Sequence, residues 1–540
     1  MTLKTKYVLF GIDEDTLISG ARRVQDAFKR ALEEYKLTDE IAVVETGSMG
    51  IIGKGVVLLV QPDDVYYANV TAEDAHEIVS EHLLKGRKVT RLVFDGKVDT
   101  ASITFKESAQ DFKKQKRIVL ANAGVINPES IEEYIAVNGY EALAKAVTEM
   151  KSEDIVNIVK ASGLRGRGGA GFPTGLKWSF TAPLKDNPKY VVCNADEGEP
   201  GTFKDRLIME GDPHRLLEGM ALAGYAIGAE KGFIYIRGEY HLSIERTQKA
   251  IDDARALGIL GTHIFGSNFS FDIEIRKGAG AYVCGEETAL INSLEGGRGN
   301  PRVKPPFPGV KGLWQQPTVV NNVETLSNVP SIVLNGADWY KSFGTATCSG
   351  TKVYTILGHV NNPGLVEVEM GTKLRDIIYK YAGGVKGGKF KCALVGGAAG
   401  AFLNDEMLDV NMDYDNLGEF KAVLGSGAIL VMNDSTCIVD MLVNIMKFFK
   451  HESCGKCSPC RLGTRHLYDM FHKIADGTAT KRELNQVQAV SETMKYSSLC
   501  ALGQSPYLVI STAMKYFEDE IAAHVHKKTC STGTCTFHVK

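Results

Sequence analysis

The residues with the clearest chemical potential form a glycine-rich segment from Gly163 to Trp178, with the sequence GLRGRGGAGFPTGLKW. Glycine tolerates positive φ and lets a ligand approach the backbone N–H groups closely. A glycine-rich loop that leads into a helix N-terminus suits phosphate, because its N–H groups and the helix dipole favour an anion. Arg165, Arg167 and Lys177 add positive charge beside these glycines. The segment therefore predicts a phosphate site, although glycines alone are equally typical of a loop without a ligand.

A second group of chemically active residues lies near the C-terminus. Cys454, Cys457 and Cys460 follow C-x2-C-x2-C spacing, and Cys500 lies far downstream. A bacterial ferredoxin motif places its fourth cysteine three residues after such a triplet. That cysteine is missing here, so a remote ligand is required, and Cys500 is suitable. Four thiolates bind either a 4Fe-4S cluster or structural zinc, but zinc ligands usually come as two C-x2-4-C pairs, which favours the cluster.

The C-terminal segment HVHKKTCSTGTC contains further residues that bind metals. Cysteines and histidines at short spacing are typical zinc ligands. One hypothesis is a zinc ion bound by His524, Cys530 and Cys535, with a fourth ligand from elsewhere, such as Cys437 or Cys348. The alternative is unbound thiols on a frayed terminus.

Four more motifs lie between the glycine-rich loop and the cysteine triplet. They are CNADEGEPGTFKDR at 193–206, GAGAYVCGEETALINSLEG at 278–296, KPPFPGVKGLW at 304–314 and PTVVNNVET at 317–325. Together with the glycine-rich loop, and in this order, they closely resemble the flavin- and NADH-binding subunit of respiratory complex I. The relatives of that subunit include the diaphorase subunits of NAD-linked hydrogenases and formate dehydrogenases. A lone G-x-G-x-x-G would be weak support, and no ribose-binding acid follows as in the usual Rossmann fingerprint.

The resemblance implies that the chain binds FMN, NAD(H) and one 4Fe-4S cluster. A flavin needs backbone donors for its phosphate and polar groups at the edge of its ring. The residues implied for FMN are Gly166, Arg167, Gly168, Gly169, Gly171, Lys177, Asn194, Asp196, Glu197, Gly285, Glu286, Glu287, Asn321, Asn322 and Thr325. Glu197 and Glu287 are expected to position the flavin, and no side chain is expected to act as a nucleophile.

The same resemblance implies a site for NADH beside the flavin. Its adenine would stack on aromatic side chains, and its ribose and phosphate groups would contact an acid and a lysine. The residues implied are Phe172, Phe180, Phe307, Glu199 and Lys304. Acidic residues near the ribose favour NAD over NADP through charge repulsion. The cluster on Cys454, Cys457, Cys460 and Cys500 would exchange single electrons with the flavin.

The composition is that of a soluble globular protein with several domains. The chain has 540 residues, 44% of them hydrophobic and 24% charged, and a net charge of −3. This charge gives no support for binding nucleic acid or an anionic membrane, and no apolar stretch is long enough to span a bilayer. All 11 cysteines lie at or after Cys193. Without a secretory signal, they favour metal ligation in a reducing cytoplasm over disulfides.

The cysteine-free first third predicts an independent α/β unit. The predicted elements are a helix over 21–36, strands over 41–44 and 56–60, and a helix from a capping pattern at Thr71 to Leu84. This order resembles the thioredoxin-like 2Fe-2S ferredoxin domain. The T-G-C-x-G-x-C turn of that domain reads TGSMGII at 46–52, with Ser48 and Ile52 in place of the cysteines. We therefore expect a thioredoxin-like domain without its cluster, whose remaining role is to dock a partner subunit.

The remaining patterns complete a mixed α/β organisation. A hairpin over 353–368, a helix over 372–381 and a strand over 390–395 resemble the β-grasp, ubiquitin-like insert of the family, and helices are predicted over 437–449 and 481–494. The predicted domains are a thioredoxin-like domain (1–108), a Rossmann-like FMN- and NADH-binding domain (109–345), a β-grasp domain (346–422), a helical bundle carrying the 4Fe-4S cluster (423–523) and a tail (524–540).

These motifs predict a diaphorase-type oxidoreductase subunit that exchanges a hydride between NADH and FMN. The most similar assemblies are trimeric cytoplasmic FeFe-hydrogenases. The expected partners are therefore a hydrogenase catalytic iron–sulfur subunit and a small 2Fe-2S thioredoxin-like subunit, with ferredoxin as a further partner if the complex bifurcates electrons. A diaphorase subunit of a formate dehydrogenase or of a quinone-linked complex is the second hypothesis. A scaffold without cofactors is the third, and Lys177, Glu197 and Glu287 argue against it.

Overall fold

The first of three β-sheets lies in the N-terminal part of the chain. The computed structural model describes residues 4–94 and 115–537, so the predicted domain boundary at 108/109 lies outside the described residues. The strands of this sheet are β1 (Lys6–Gly11), β2 (Ile41–Thr46), β3 (Leu58–Gln61) and β4 (Val65–Tyr67). Their order is β2-β1-β3-β4, with β1 parallel to β2 and β3 antiparallel to both neighbours. The accompanying helical segments are Glu14–Ile18, Ala21–Glu34, Asp74–Glu77, Ile78–Leu84 and Thr90–Leu92.

The predicted helices of this unit are confirmed within a few residues. Ala21–Glu34 buries one apolar face, and Phe28 meets Phe10 of β1 edge-to-face at 5.4 Å between ring centroids. The Asp74 carboxylate accepts the Thr71 N–H at 2.8 Å, as the capping pattern predicts. Periodicity and capping were therefore sufficient to place both helices.

The second sheet is fully parallel. Its strands are β5 (Tyr190–Ala195), β6 (Lys231–Arg237), β7 (Asp272–Gly278) and β8 (Thr318–Asn322), in the order β7-β6-β5-β8. The apolar centres of β5 and β6 are buried, as expected for strands with helices on both faces. The helices of this unit are Ile131–Ala136, Glu141–Glu149, Ser152–Ala161, Thr174–Thr181, Lys204–Gly211, Pro213–Ile227, His241–Ala256, Glu287–Leu294, Pro308–Lys311, Val323–Asn335 and Ala337–Lys341. Because Asn194 of β5 pairs with Asn322 of β8, two predicted flavin residues share one edge of the sheet.

The third sheet is mixed and extends beyond the predicted boundary at 422. Its strands are β9 (Thr351–Gly358), β10 (Gly364–Glu369), β11 (Phe390–Val395), β12 (Ala401–Asn404) and β13 (Ala428–Asn433), in the order β10-β9-β13-β11-β12. The predicted hairpin is the antiparallel pair β9–β10. β13 is the central strand, parallel to β9 and antiparallel to β11. In the sequence, β13 is an isolated apolar run whose immediate neighbours along the chain are not strands. The sequence therefore did not indicate that this segment completes the sheet.

Helices form the C-terminal part of the described chain. They are Ile438–Glu452, Ser458–Ala475, Lys481–Ser497, Ala501–Gln504, Pro506–Tyr516 and Glu518–His526. Pro506–Tyr516 packs on strand β12, so this group of helices also covers one edge of the third sheet. Within the described residues, we find no helix with the length and apolar character needed to cross a membrane.

Candidate functional site

The glycine-rich loop lies at the carboxyl end of β8. A Cβ atom at Gly168 would lie 2.9 Å from the Cβ of Asn322, so a larger residue does not fit there. The N–H of Arg167 donates to Thr325 Oγ1 at 2.8 Å. At Gly169, in contrast, a Cβ atom would meet nothing within 4 Å among the described residues. The loop is therefore held from one side and open at Gly169, which fits a backbone surface for a flavin phosphate.

Tyr414, which comes from the unit of the third sheet, closes the far side of this loop. Its hydroxyl donates to Gly166 O at 2.6 Å. A Cβ atom at Gly171, which has φ +65°, would lie 2.6 Å from the Tyr414 ring. Glycine at 171 is thus required both by the backbone conformation and by this contact.

The side chain of Arg167 does not face the open part of the loop. Its guanidinium is fully buried and donates only to protein oxygens, at 2.7 Å to Ser349 O, 3.0 Å to Thr351 O and 3.2 Å to the Tyr340 hydroxyl. These bonds connect the glycine-rich loop to the start of β9. Arg167 was predicted to bind the flavin, but only its backbone is placed to contact a bound molecule.

Two lysines and two glutamates form a connected group at the N-terminus of helix Glu287–Leu294. Glu287 contacts Lys177 at 3.3 Å and Lys304 at 3.1 Å, and Lys304 also pairs with Glu286 at 2.8 Å. Burial opposes ionisation of Glu287, but the two ammonium groups outweigh it and lower the pKa of this carboxyl. All four predicted residues therefore come together, with Glu287 ionised between two cations.

Asp196 has a fully buried carboxylate. Neither of its oxygens has a hydrogen-bond partner among the described residues. A Cβ atom at Gly285 would lie 3.7 Å from it, and Gly285 O accepts from Asn194 Nδ2 at 2.9 Å. Burial raises the pKa of Asp196 to about 7, against the opposing charge of Arg237. An unpaired buried carboxyl is costly, so a ligand with N–H groups fits this position.

Glu197, in contrast, is engaged by the protein itself. Its carboxylate accepts the N–H groups of Asp205 at 2.7 Å and Arg206 at 2.9 Å, and the Tyr240 hydroxyl at 3.1 Å. It therefore caps helix Lys204–Gly211, from a backbone position with φ +39°. Burial raises the pKa of Glu197 to about 7, supported by the neighbouring Asp205 charge and opposed by Lys204.

The two asparagines at the end of β8 also have protein partners. Asn321 Oδ1 accepts from Trp178 Nε1 at 2.8 Å. Asn322 Nδ2 donates to Asp205 at 2.6 Å, and its Oδ1 caps the following helix at Glu324 N, 3.0 Å away. Both amides therefore bond to protein groups and fix the walls of the site.

The aromatic residues predicted for NADH are all solvent-exposed. The exposed fractions of Phe172, Phe180 and Phe307 are 46%, 56% and 59%. Thr181 Oγ1 donates to Gly309 O at 3.2 Å. This bond joins helix Thr174–Thr181, which contains Phe180, to helix Pro308–Lys311, which directly follows Phe307. Large exposed apolar rings are typical of a surface that binds a ligand or a partner.

Glu199 contacts Tyr282 and the loop between β11 and β12 of the third sheet. Its carboxylate accepts the Tyr282 hydroxyl at 2.6 Å and the Ala399 N–H at 3.3 Å. Burial raises the pKa of Glu199 to about 7, although both hydrogen bonds oppose the shift. Between its unfolded pKa and about 7, the folded chain therefore holds a proton that the unfolded chain has lost. The resulting stabilisation is complete at low pH and is lost as the pH rises through 7.

We expect Glu199→Gln to weaken the pH dependence of stability. The amide cannot ionise, so the variant should lose fewer degrees of Tm than the parent when the buffer is changed from about pH 5 to about pH 8. Thermal unfolding at both pH values measures this difference. Glu406 is exposed, so Glu406→Gln is the control and should lose as many degrees of Tm as the parent. Equal losses of Tm in Glu199→Gln and the parent would contradict the expectation.

The four predicted cluster cysteines line one cavity. Cys457 precedes helix Ser458–Ala475, Cys460 lies in its first turn, and Cys500 precedes helix Ala501–Gln504. Helix N-termini favour the negative charge of thiolates. The other residues lining the cavity are Val283, Pro301, Ser453, Cys454, Lys456, Leu499 and Leu502. Four thiols at one cavity fit a 4Fe-4S cluster.

One short segment connects the two sites. Val283 lines the cysteine cavity, and Gly285, two residues later, accepts from Asn194 beside Asp196. Tyr282 N donates to Glu452 at 2.9 Å, which fixes the segment against the end of helix Ile438–Glu452. Segment 282–287 therefore forms a wall of both the flavin site and the cysteine cavity.

The tail cysteines form a third group. The donor atoms of Cys437, His524, Cys530 and Cys535 all lie within 4.8 Å of one another. Cys437 Sγ is 3.4 Å from His524 Nε2 and 3.6 Å from Cys535 Sγ. His524 Nδ1 bonds Glu520 O at 2.8 Å, which leaves Nε2 to face the group. Cys348, the other fourth ligand considered, lies elsewhere, 3.5 Å from Arg165.

A buried charge network, which the sequence did not predict, lies next to the flavin site. Glu324 contacts Lys352 at 2.5 Å and Lys204 at 3.1 Å, and all three side chains are fully buried. Lys204 also contacts Asp205 at 2.6 Å. Three of the four lie within quoted motifs, but residue type alone did not distinguish them from exposed charges.

Three family models match parts of this chain. The chain matches the models of the Nuo51 FMN-binding domain over residues 159–331, the SLBB domain over 353–397 and the NADH-ubiquinone oxidoreductase-F iron-sulfur binding region over 440–524. It is 51% identical over 425 residues to the NADP-reducing hydrogenase subunit HndC of Solidesulfovibrio fructosivorans, covering 78% of this chain and 86% of that protein.

Two further similarities involve a quinone-linked enzyme and a solved hydrogenase. The chain is 47% identical over 414 residues to a subunit of the NADH-quinone oxidoreductase of Rhizobium meliloti, covering 76% of this chain and 98% of the relative. It resembles a chain of the NAD+-reducing [NiFe]-hydrogenase in the H2-reduced state with a TM-score of 0.68 and 30% identity, covering 97% and 84% of the two chains.

Proposed function

This chain belongs to the family of NADH-binding flavoprotein subunits of NADH-quinone oxidoreductase, and from that membership we propose the role of each site residue. The protein is an oxidoreductase subunit that binds FMN and NADH and carries a 4Fe-4S region. Its fold is mixed α/β with several domains, including an FMN-binding and an SLBB domain. The chemistry that FMN would supply when bound is the uptake of a hydride from NADH and the release of single electrons.

We assign the flavin phosphate to the open backbone at Gly169 and the flavin ring to the wall formed by Asp196 and Gly285. The unpaired Asp196 carboxylate supports the ring position, because it offers two acceptors that no described residue uses. Lys177, held by Glu287, would face the flavin as a cation, while Glu197, Asn321 and Asn322 position the walls. Phe172, Phe180 and Phe307 would stack against NADH, with Glu199 and Lys304 beside its polar groups.

The observation that supports an electron path from the flavin to the cluster is the wall at 282–287, which the two sites share. Because Val283 lines the cysteine cavity and Gly285 lies at the flavin wall, electrons need cross only this segment. The cysteines Cys454, Cys457, Cys460 and Cys500 would hold the 4Fe-4S cluster. The protein's contribution is to position two cofactors and to exclude water between them.

We further propose that the chain works in a cytoplasmic NAD-linked hydrogenase complex. The similarity to hydrogenase subunits supports this assembly, and 11 free cysteines are consistent with a reducing compartment. Its partners would be a catalytic iron–sulfur subunit and a small 2Fe-2S thioredoxin-like subunit. A quinone-linked complex is the second candidate, favoured by the similarity to the Rhizobium meliloti protein.

Hydrogen-dependent NAD reduction by the complex that co-purifies anaerobically with this chain tests the assembly. Activity would support the hydrogenase, and a strict need for ferredoxin would support bifurcation in an FeFe-type enzyme. Loss of hydrogen activity with intact NADH-to-viologen activity would shift the assignment to a quinone-linked or formate-oxidising complex. Protein that takes up no FMN would support the cofactor-free scaffold.

We also propose domain identities for the two N-terminal sheets. The order β2-β1-β3-β4, with one parallel and two antiparallel pairs, is consistent with a thioredoxin-like domain that lacks its cluster. The parallel sheet of β5 to β8 is consistent with a Rossmann-like domain whose ligands bind at the carboxyl ends of the strands.

Finally, we propose that Cys437, His524, Cys530 and Cys535 bind zinc. Three thiols and one imidazole are a common tetrahedral zinc set, and a site with four protein ligands is structural. Such an ion would connect the helices Ile438–Glu452 and Glu518–His526 to the tail beyond them.

Replacing Cys535 with serine is expected to remove this zinc, from about one ion per chain to near zero, because a tetrahedral site needs all of its ligands. Elemental analysis of the anaerobic protein measures zinc and iron together. Cys348→Ser is the matched control and should keep the ion. A parent protein without zinc, or a Cys535→Ser variant that retains it, would contradict the assignment.

A further inference from the structure

The turn at 46–52 is the motif to which the proposed function gives no role. Although it is a turn, most of it is buried, with exposed fractions of 0% for Thr46, 5% for Ser48, 6% for Met49 and 7% for Ile51. A turn at the end of a strand usually faces solvent. Other parts of the chain must therefore cover this turn.

The flavin-binding unit, which is the second sheet with the described residues 115–345 around it, covers one side of the turn. A Cβ atom at Gly47 would lie 2.3 Å from Gly211 Cα and 3.2 Å from Gly211 O, so the two backbones are in direct contact. Met49 packs beside Gly124, where a Cβ atom would lie 3.3 Å from Met49 Cγ. Gly211 is the last residue of helix Lys204–Gly211, so the turn abuts the C-terminal end of that helix.

The third sheet covers the other side. Ile51 forms an antiparallel bridge with Gly364, the first residue of β10, and Leu365 N donates to Gly50 O at 3.3 Å. A Cβ atom at Gly364 would lie 2.3 Å from Gly50 O. The turn therefore pairs with the first residues of β10, an edge strand of that sheet, and contacts two different units at once.

Charged groups add a second set of contacts to the same helix. Arg206 Nη2 lies 3.0 Å from Asp15 of the N-terminal unit. The buried Arg246 donates to both Ile12 O at 2.9 Å and Glu210 O at 2.7 Å. Helix Lys204–Gly211 is thus fixed to the N-terminal unit at its C-terminal end and along its side.

This helix also forms part of the flavin site. The N–H groups of Asp205 and Arg206 hold the Glu197 carboxylate, and the Asp205 carboxylate accepts from Asn322. A shift of the helix would therefore move the residues on both sides of the flavin position. Small displacements of positioning groups are costly in such sites.

We propose that the turn at 46–52 is an internal docking surface whose partner is this chain itself. Through Gly47 and Asp15, the N-terminal unit positions helix Lys204–Gly211 and, through that helix, Glu197 and Asn322. The unit is a fixed part of the flavin site, and its turn is unavailable to a partner protein. Gly47 and Asp15 are positioning residues, since neither is placed to touch a cofactor.

Gly47→Ala tests the proposal, because the nearest atoms to the added methyl group all belong to Gly211. In the full-length variant, we expect faster hydrogen–deuterium exchange in residues 204–211 and unchanged exchange in helix Ile438–Glu452. We also expect about tenfold weaker FMN binding, because insertion into a packed contact displaces its neighbours. The exchange measurement needs no flavin, so it tests the contact independently of cofactor binding.

Gly418→Ala is the matched control, because a Cβ atom there would meet nothing within 4 Å. Identical exchange and FMN affinity in the two variants would overturn the proposal. If Gly47→Ala does not fold, Asp15→Asn decides, with Glu45→Gln as its control because Glu45 pairs with Arg22 inside the N-terminal unit. Faster exchange at 204–211 in Asp15→Asn alone supports the proposal, and equal exchange in both contradicts it.

Discussion

Replacing Cys460 with alanine is expected to abolish the 4Fe-4S cluster and to leave FMN in place. Cys460 is 5% exposed and lines the cavity with the other three cysteines, so no described thiol is placed to substitute for it. The iron content should fall from about four atoms per chain to near zero. NADH should still reduce the bound flavin at close to the parent rate, because none of the residues assigned to FMN or NADH is a ligand of the cluster. Electron transfer to a one-electron acceptor protein should fall to background.

Iron analysis and electron paramagnetic resonance of the reduced protein measure the cluster, and stopped-flow absorbance measures flavin reduction. Cys392→Ala is the matched control, since Cys392 is fully buried in β11 and does not line the cavity. The control should retain both iron and electron transfer. Retained iron in Cys460→Ala, or flavin loss equal to the iron loss, would contradict the assignment of separate sites.

Much of the site could be predicted because its residues follow the strands that position them. Asn194 and Asp196 lie at the end of β5, and Asn321 and Asn322 end β8, so a parallel pairing brings them to one edge. The cysteine triplet could also be predicted as part of one site from its spacing. This spacing places Cys460 in the first turn of a helix. Local spacing was sufficient wherever ligand groups lie close together along the chain.

The direction of individual side chains could not be predicted. Arg167 lies in a loop that suggests a phosphate ligand, yet its guanidinium is satisfied by Ser349 and Thr351, which are remote in sequence. The Glu197 carboxylate likewise accepts the backbone N–H groups in the first turn of helix Lys204–Gly211. Such outcomes depend on tertiary contacts, which a motif does not contain.

Long-range partners were the other limit. The tail motif left Cys437 and Cys348 as equal candidates, and only the folded chain brings Cys437 to His524. Strand β13 was missed as part of the third sheet for the same reason, since its partners β9 and β11 precede it by many residues. Both required knowing which helix or strand packs beside which.

Glu324→Gln is expected to be among the most destabilising single changes in the flavin-binding unit. Glu324 is fully buried between Lys204 and Lys352 and also accepts Val353 N–H at 2.8 Å. Burial opposes ionisation of Glu324, but the two ammonium groups outweigh it and lower its pKa. Burial in turn lowers the pKa of Lys352 to about 7, although Glu324 opposes this shift. Among the described residues, removing the carboxylate charge leaves Lys352 without its anionic partner and Lys204 with Asp205 alone. Breaking a buried ion pair in this way typically costs about 3–5 kcal/mol.

Thermal unfolding should show this as a fall in Tm of roughly 10 °C. Asp338→Asn is the comparison, because Asp338 is 99% exposed and pairs with Lys341 at 3.2 Å, and exposed pairs contribute at most about 1 kcal/mol. Adding Lys352→Met to Glu324→Gln should recover part of the loss, because one unpaired cation is then removed. If Glu324→Gln costs no more than Asp338→Asn, the buried network does not stabilise the protein. If the double variant is worse than the single, lost packing rather than unpaired charge is the cause.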